Sequence, residues 1–143
     1  MQDYINDTNH VFKKEWITDG PNPEMIGFAK DAGEFLAGNP QKPNDGLSTS
    51  SIRNIYSEIK RIQNNYEQNK ASFYLLLPKV SYAYGRTTKR RDNNIVGDRY
   101  LWAFRNIFEV AQKYVTDDVK TYNNFCSFME AILAYHKFYG GNK

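Results

Sequence analysis

Apolar residues recur along much of this chain at intervals of three and four, the spacing that sets them on one side of an α-helix. From Glu24 to Leu36 these positions are Met25, Phe28, Ala29, Ala32, Phe35 and Leu36, which predicts a short amphipathic helix ending at Gly38. The most regular stripe follows, with Ile52, Ile55, Tyr56, Ile59, Ile62 and Tyr66 on one face and Ser48 or Thr49 placed to cap it. Phe73 to Arg86 starts apolar nearly all round and contains Pro78, so either a kinked helix or a break with a restart is expected. Gly97 or Asp98 opens another helix carrying Leu101, Phe104, Phe108, Ala111 and Val115. Asp117 and Asp118 fall in the first turn of a last one, where negative charge suits the helix dipole. Its stripe of Phe125, Phe128, Met129, Ile132 and His136 runs to Gly140-Gly141. No alternation of period two persists long enough to predict a strand. The expected fold is all-α, a compact bundle of about five helices with a poorly defined N-terminal tail.

Asn, Asp, Gly and Pro cluster at residues 18–23 and 38–46 and separate the helices. Residues 23–141 are expected to form one helical-bundle domain, with 1–22 either a tail or a short extra helix near Val11-Phe12. With 143 residues, 11 Tyr and 9 Phe, the chain can build a sizeable core without metals or disulfides. A mean hydropathy of -0.72, with Phe73 to Leu77 as the longest apolar cluster, excludes a transmembrane helix. Met1 to Thr18 holds Asp3, Asp7 and Glu15 and no apolar segment, unlike a signal peptide. The one cysteine, Cys126, leaves no intramolecular disulfide, so a reducing, cytoplasmic setting is expected.

Catalytic chemistry finds little support. There is no Gly-x4-Gly-Lys-Ser/Thr loop and no Gly-x-Gly-x-x-Gly turn. Neither His10 nor His136 has a His or Cys within one helical turn, so no metal or other cofactor is expected. Cys126 and His136 are ten residues apart on one predicted helix, about 15 Å along its axis, too far for a nucleophile and its base. Cys126 reads as a small buried hydrophobe and His136 as a hydrogen-bonded core or edge histidine.

Charge is more informative. Residues 1–50 hold 4 Lys+Arg and 8 Asp+Glu, whereas residues 51–143 hold 15 and 8. Seven cations lie between Lys79 and Arg105: Lys79, Arg86, Lys89, Arg90, Arg91, Arg99 and Arg105. Such a segment is either a solvated loop or a surface for a polyanion. Arg53 and Lys60 stand seven residues apart on one helix face, with Arg61 about 100° round from Lys60. That face is either an ordinary solvated flank or a contact surface. The run from Tyr82 to Arg91 mixes cations with Gly85, Thr87 and Thr88 and leads into an irregular loop through Asp92-Asn93-Asn94. Lys, Arg, hydroxyl and backbone N–H groups are what phosphates meet, and a mobile cationic loop suits a single strand or a backbone better than a major groove. Tyr82 and Tyr84 read as core or edge residues more readily than as stacking platforms.

Three stretches, in order, carry a resemblance. They are Leu47-Ser-Thr-Ser-Ser-Ile-Arg-Asn-Ile-Tyr56 with Glu58-Ile-Lys-Arg-Ile62, then Leu76-Leu-Pro-Lys-Val-Ser-Tyr-Ala-Tyr-Gly-Arg86, and finally Asn124 to Gly140 with its Ala-Tyr-His-Lys-Phe-Tyr-Gly end. Together they resemble the small subunit of the type III-A CRISPR effector, the Csm complex. The resemblance implies a non-catalytic, RNA-binding subunit that stacks in several copies along a crRNA–target RNA duplex. Its implied partners are crRNA and target RNA through their backbones, other Csm subunits and further copies of itself, with no membrane. Arg53, Lys60, Arg61, Lys79 and Arg86 lie in the matching stretches and are the RNA-binding candidates. Lys89, Arg90 and Arg91 join them on charge density alone. The alternative is a purely structural helical subunit that does not contact nucleic acid.

Overall fold

The computed structural model describes residues 11–141, so His10 lies outside the described residues. Among them run six helices and one two-stranded ribbon: α1 Glu15–Thr18, α2 Pro23–Ala37, α3 Thr49–Gln63, α4 Tyr66–Gly85, β1 Lys89–Arg91, β2 Asn94–Val96, α5 Arg99–Gln112 and α6 Val119–Phe138. Five long helices match the expected bundle, and the one-turn α1 makes the sixth.

Local chemistry starts each long helix. The side chains of Asn22, Ser48, Asn65, Asp98 and Asp118 accept hydrogen bonds from backbone amides of the first turns, and Pro23 supplies a fixed φ at the start of α2. Each such cap contributes about 1 kcal/mol.

Cross-helix contacts set the directions. His136 Nε2 donates to Leu47 O at one end, and Tyr122 OH donates to Ile59 O towards the other, so α3 is antiparallel to α6. Gln112 Nε2 donates to Phe73 O and Arg105 Nε to Ser81 Oγ, which makes α5 antiparallel to α4. Phe28 packs on Phe128, and Gly33 meets Tyr135, so α2 runs parallel to α6. The long helices thus alternate up and down. One end of the bundle collects the 38–48 loop, the β-ribbon and the C-terminus of α6.

The core is aromatic. Tyr66 stacks on Tyr122 at 4.5 Å, and Phe73 meets Phe125 edge-on at 5.1 Å. Phe12, Trp16, Phe28 and Phe128 form a second group. Trp16 and Ile17 of α1 are fully buried, and Asn124 Nδ2 donates to Ile17 O, tying α1 to α6. No described helix is long and apolar enough to cross a membrane.

Several expectations are corrected. Tyr66 does not end the stripe of α3; it opens α4 after the break at Asn64-Asn65. The helix does not break at Pro78. Its one non-helical residue is Asn69 (φ -117°, ψ 16°), whose Nδ2 donates to Asn65 O and so takes the carbonyl that a backbone amide would use. Pro78 is tolerated because it and Tyr74, whose carbonyl it leaves unbonded, lie on the exposed side of α4. The expected irregular loop is the β-ribbon, turning at Asp92 (φ 46°) and Asn93 (φ 70°). Positive φ at both central residues is what a two-residue type I′ turn demands, and Asp and Asn are the side chains that accept it. All six ribbon residues are exposed, so no alternation of apolar and polar side chains marks the strands.

Candidate nucleic-acid interface

The antiparallel pair α3–α4 decides where the candidate cations go. Lys79 Nζ lies 3.8 Å from Glu58 Oε1, and Glu58 Oε2 accepts from Arg61 Nε at 2.7 Å. One carboxylate therefore stands between two of the candidates. The Arg61 hydrogen bond holds the Glu58 carboxyl below its ordinary range, and Glu58 in turn raises Arg61. Arg53, Lys60, Arg86, Lys89, Arg90 and Arg91 are exposed and form no ion pair among the described residues.

A cavity of about 300 Å³ at the ribbon end is lined by Ser51, Ala83, Arg86, Thr87, Asp98 and Leu101. It brings the start of α3, the end of α4 and the start of α5 together. Arg53, early in α3, and Arg86, just past α4, thus share this end with Lys89, Arg90 and Arg91. Arg61 and Lys79 lie further along the α3–α4 side, whereas the exposed Lys60 stands about 100° round α3 from Arg61, where its charge acts on Cys126 of α6.

The ribbon is anchored at its base. Thr87 Oγ1 donates to Tyr84 O at 2.7 Å and accepts from Asp98 N at 2.9 Å. Thr88 Oγ1 donates to Gly85 O. The Tyr84 ring packs on Trp102 at 5.0 Å and passes so close to Gly97 that a Cβ there would lie 2.8 Å from it. Above this base, Lys89 pairs with Val96, Arg90 with Ile95 and Arg91 with Asn94. Strand geometry then turns Lys89 and Arg91 to one face and Arg90 to the other.

Tertiary structure adds Arg99, part of the basic run but not singled out from sequence. Its Nη2 donates to Tyr100 OH at 2.7 Å, and Tyr100 OH donates to Asp45 Oδ2 at 2.9 Å. Asp45 also accepts from Asn39 N, and these bonds lower its pKa. The network pins the 38–48 loop to α5 and leaves the exposed Arg99 beside the ribbon. Arg105 is engaged by Ser81, Asn106 and Glu109 and lies over Trp102. Its role is to pack α4 on α5.

The residues weighed for catalysis are core. Cys126 is buried, and burial pushes its thiol up to about 11. His136 is 2% exposed, and burial lowers its pKa against the opposing effect of its bond to Leu47 O. Of the two tyrosines read as core or edge residues, Tyr82 is not in the core but 70% exposed, because α4 turns that face to solvent. Tyr84 is half-buried, as expected.

Residues 24–142 match the family model described as Csm2 Type III-A. The CRISPR system Cms protein Csm2 of Streptococcus thermophilus is 32% identical over 109 residues, covering 71% of this chain and 82% of the relative. The chain belongs to the Csm2 type III-A family, the small subunit of the Csm complex.

Proposed function

We propose that this chain is a non-catalytic subunit that holds RNA by its backbone, several copies stacking along a crRNA–target RNA duplex in the cytoplasm. The observation that carries the reading is the gathering of Arg53 of α3 with Arg86, Lys89, Arg90 and Arg91 at one end of the bundle, none of them ion-paired among the described residues. Lys60, Arg61 and Lys79 extend the positive surface along α3 and α4. Cations and hydroxyls meet phosphates in any sequence, so selection of a target falls to base pairing elsewhere in the complex.

Each phosphate contact contributes a salt slope of about -0.7 on a single strand. One protomer binds weakly, and repetition along one RNA raises the effective concentration of each further copy. Stacking requires two different surfaces. The exposed Asp31 and Glu34 of α2 supply negative charge on a different helix from the candidate cations.

The test is RNA retention by the assembled complex with Arg86, Lys89 and Arg91 all changed to Ala. Weaker binding across all RNA sequences with an unchanged melting temperature supports the reading. Undiminished retention supports instead a purely structural subunit.

A further inference from the structure

Resting on that reading, we infer that Tyr82 is a stacking platform for one unpaired RNA base, with Lys79 and Arg86 taking the phosphates on either side. Lys79 and Tyr82 of α4 and Arg86, its C-cap residue with helical φ and ψ, stand at i, i+3 and i+7, the spacing that aligns side chains on one helix face. Lys79 and Arg86 are about 10 Å apart along the axis, within reach of two long flexible side chains closing on neighbouring phosphates.

Tyr82 is the most exposed tyrosine among the described residues, and no ring or cation packs on it. Other tyrosines in and beside the core are occupied: Tyr66 and Tyr122 stack on each other, Tyr84 packs on Trp102 and Tyr114 on Phe12. A large ring held out in water between two cations is a poor seat for an apolar protein surface, since covering it would desolvate both charges. A nucleotide offers a π-face for the ring and phosphates for the cations. Stacking of this kind accepts every base, so the site adds affinity without reading sequence. It requires an unpaired base, either on a single strand or turned out of a duplex. This is a finer demand than backbone binding alone.

The test compares binding of the full chain at low salt to a short labelled oligouridylate and to the same backbone carrying abasic residues. Tyr82→Ala should weaken oligouridylate binding about ten-fold while Tyr82→Phe stays within about two-fold. The salt slope should not change in either variant, because no phosphate contact is lost. On the abasic backbone all three proteins should bind alike. Equal loss on both oligomers, no loss in Tyr82→Ala, or full retention in Tyr82→Leu overturns the inference, the last by showing a general apolar contact. If Tyr82→Ala binds normally while the Arg86, Lys89 and Arg91 alanine variant does not, only this inference fails. If the unmodified chain binds neither oligomer at low salt, this inference fails, and the RNA reading fails with it only if the assembled complex also retains no RNA.

Discussion

His136 Nε2 donates a hydrogen bond to Leu47 O at 2.9 Å, fastening the last turns of α6 to the residue that leads into α3. The imidazole is buried and its pKa is lowered, so the folded protein holds it neutral. The unfolded chain protonates near the ordinary histidine value of 6.5 while the folded one resists. This contribution is therefore complete above that pH and is lost as pH falls towards the lower folded value. Thermal melts of the wild type should drop in midpoint as pH is lowered through 6.5, with a smaller drop for His136→Gln. At neutral pH, His136→Ala should cost about 2–4 kcal/mol, from a cavity and an unsatisfied carbonyl.

Gly33 sits where α2 crosses α6, and a Cβ there would lie 2.5 Å from Tyr135 Cβ and 2.7 Å from the His136 amide nitrogen. Both neighbours are at or beside backbone and cannot turn away. Gly33→Ala should destabilise by about 1–3 kcal/mol in urea unfolding. Gly27, on the same helix with nothing within 4 Å, is the control. Gly27→Ala should stabilise by about 0.5–1 kcal/mol, because the helix interior loses its most flexible residue.

Glu58 neutralises part of the proposed RNA surface by bonding Arg61 and standing beside Lys79. Glu58→Gln frees both cations. RNA affinity should rise and its salt dependence should steepen by about 1–2 contacts' worth of slope. Unchanged affinity and slope would place Arg61 and Lys79 off the path of the RNA.

At the ribbon turn, Asn93 (φ 70°) stands where glycine is preferred in a type I′ hairpin. Asn93→Gly should keep or raise amide hydrogen-exchange protection from Lys89 to Val96. Asn93→Val should abolish that protection, since a β-branched residue resists positive φ. Global unfolding should change little, because all six ribbon residues are exposed.

Stacking between copies is tested by reversing charge on α2. Asp31→Lys with Glu34→Lys leaves the fold intact, both side chains being exposed. Native mass spectrometry of the assembled complex should then count fewer copies of this subunit. An unchanged count would show that these carboxylates do not mediate the contact.

Helical periodicity placed α2, α3, α5 and α6, because each buries one face and so repeats its apolar residues every three or four positions, but α4 was read only from Phe73, and its start at Tyr66 was taken for the end of α3. Capping residues marked where two of them begin, since Ser48 caps α3 and Asp98 opens α5 as read, whereas Asp117 and Asp118, read as first-turn residues of α6, precede it, with Asp118 as its N-cap. The core roles of Cys126 and His136 were legible for the same reason, since both stand on or beside the stripe of α6. The ribbon was not legible: its strands bury neither face, so they carry no alternation for a period to report. Nor did helical spacing alone show the exposure of Tyr82 or the position of Glu58 between Arg61 and Lys79. These depend on which side of α4 meets α3 and α5. Neighbouring positions on one helix are set by its geometry, but the meeting of Arg53, Arg86, Arg99 and the ribbon follows from long-range packing of the aromatic core, and only the tertiary structure decides it.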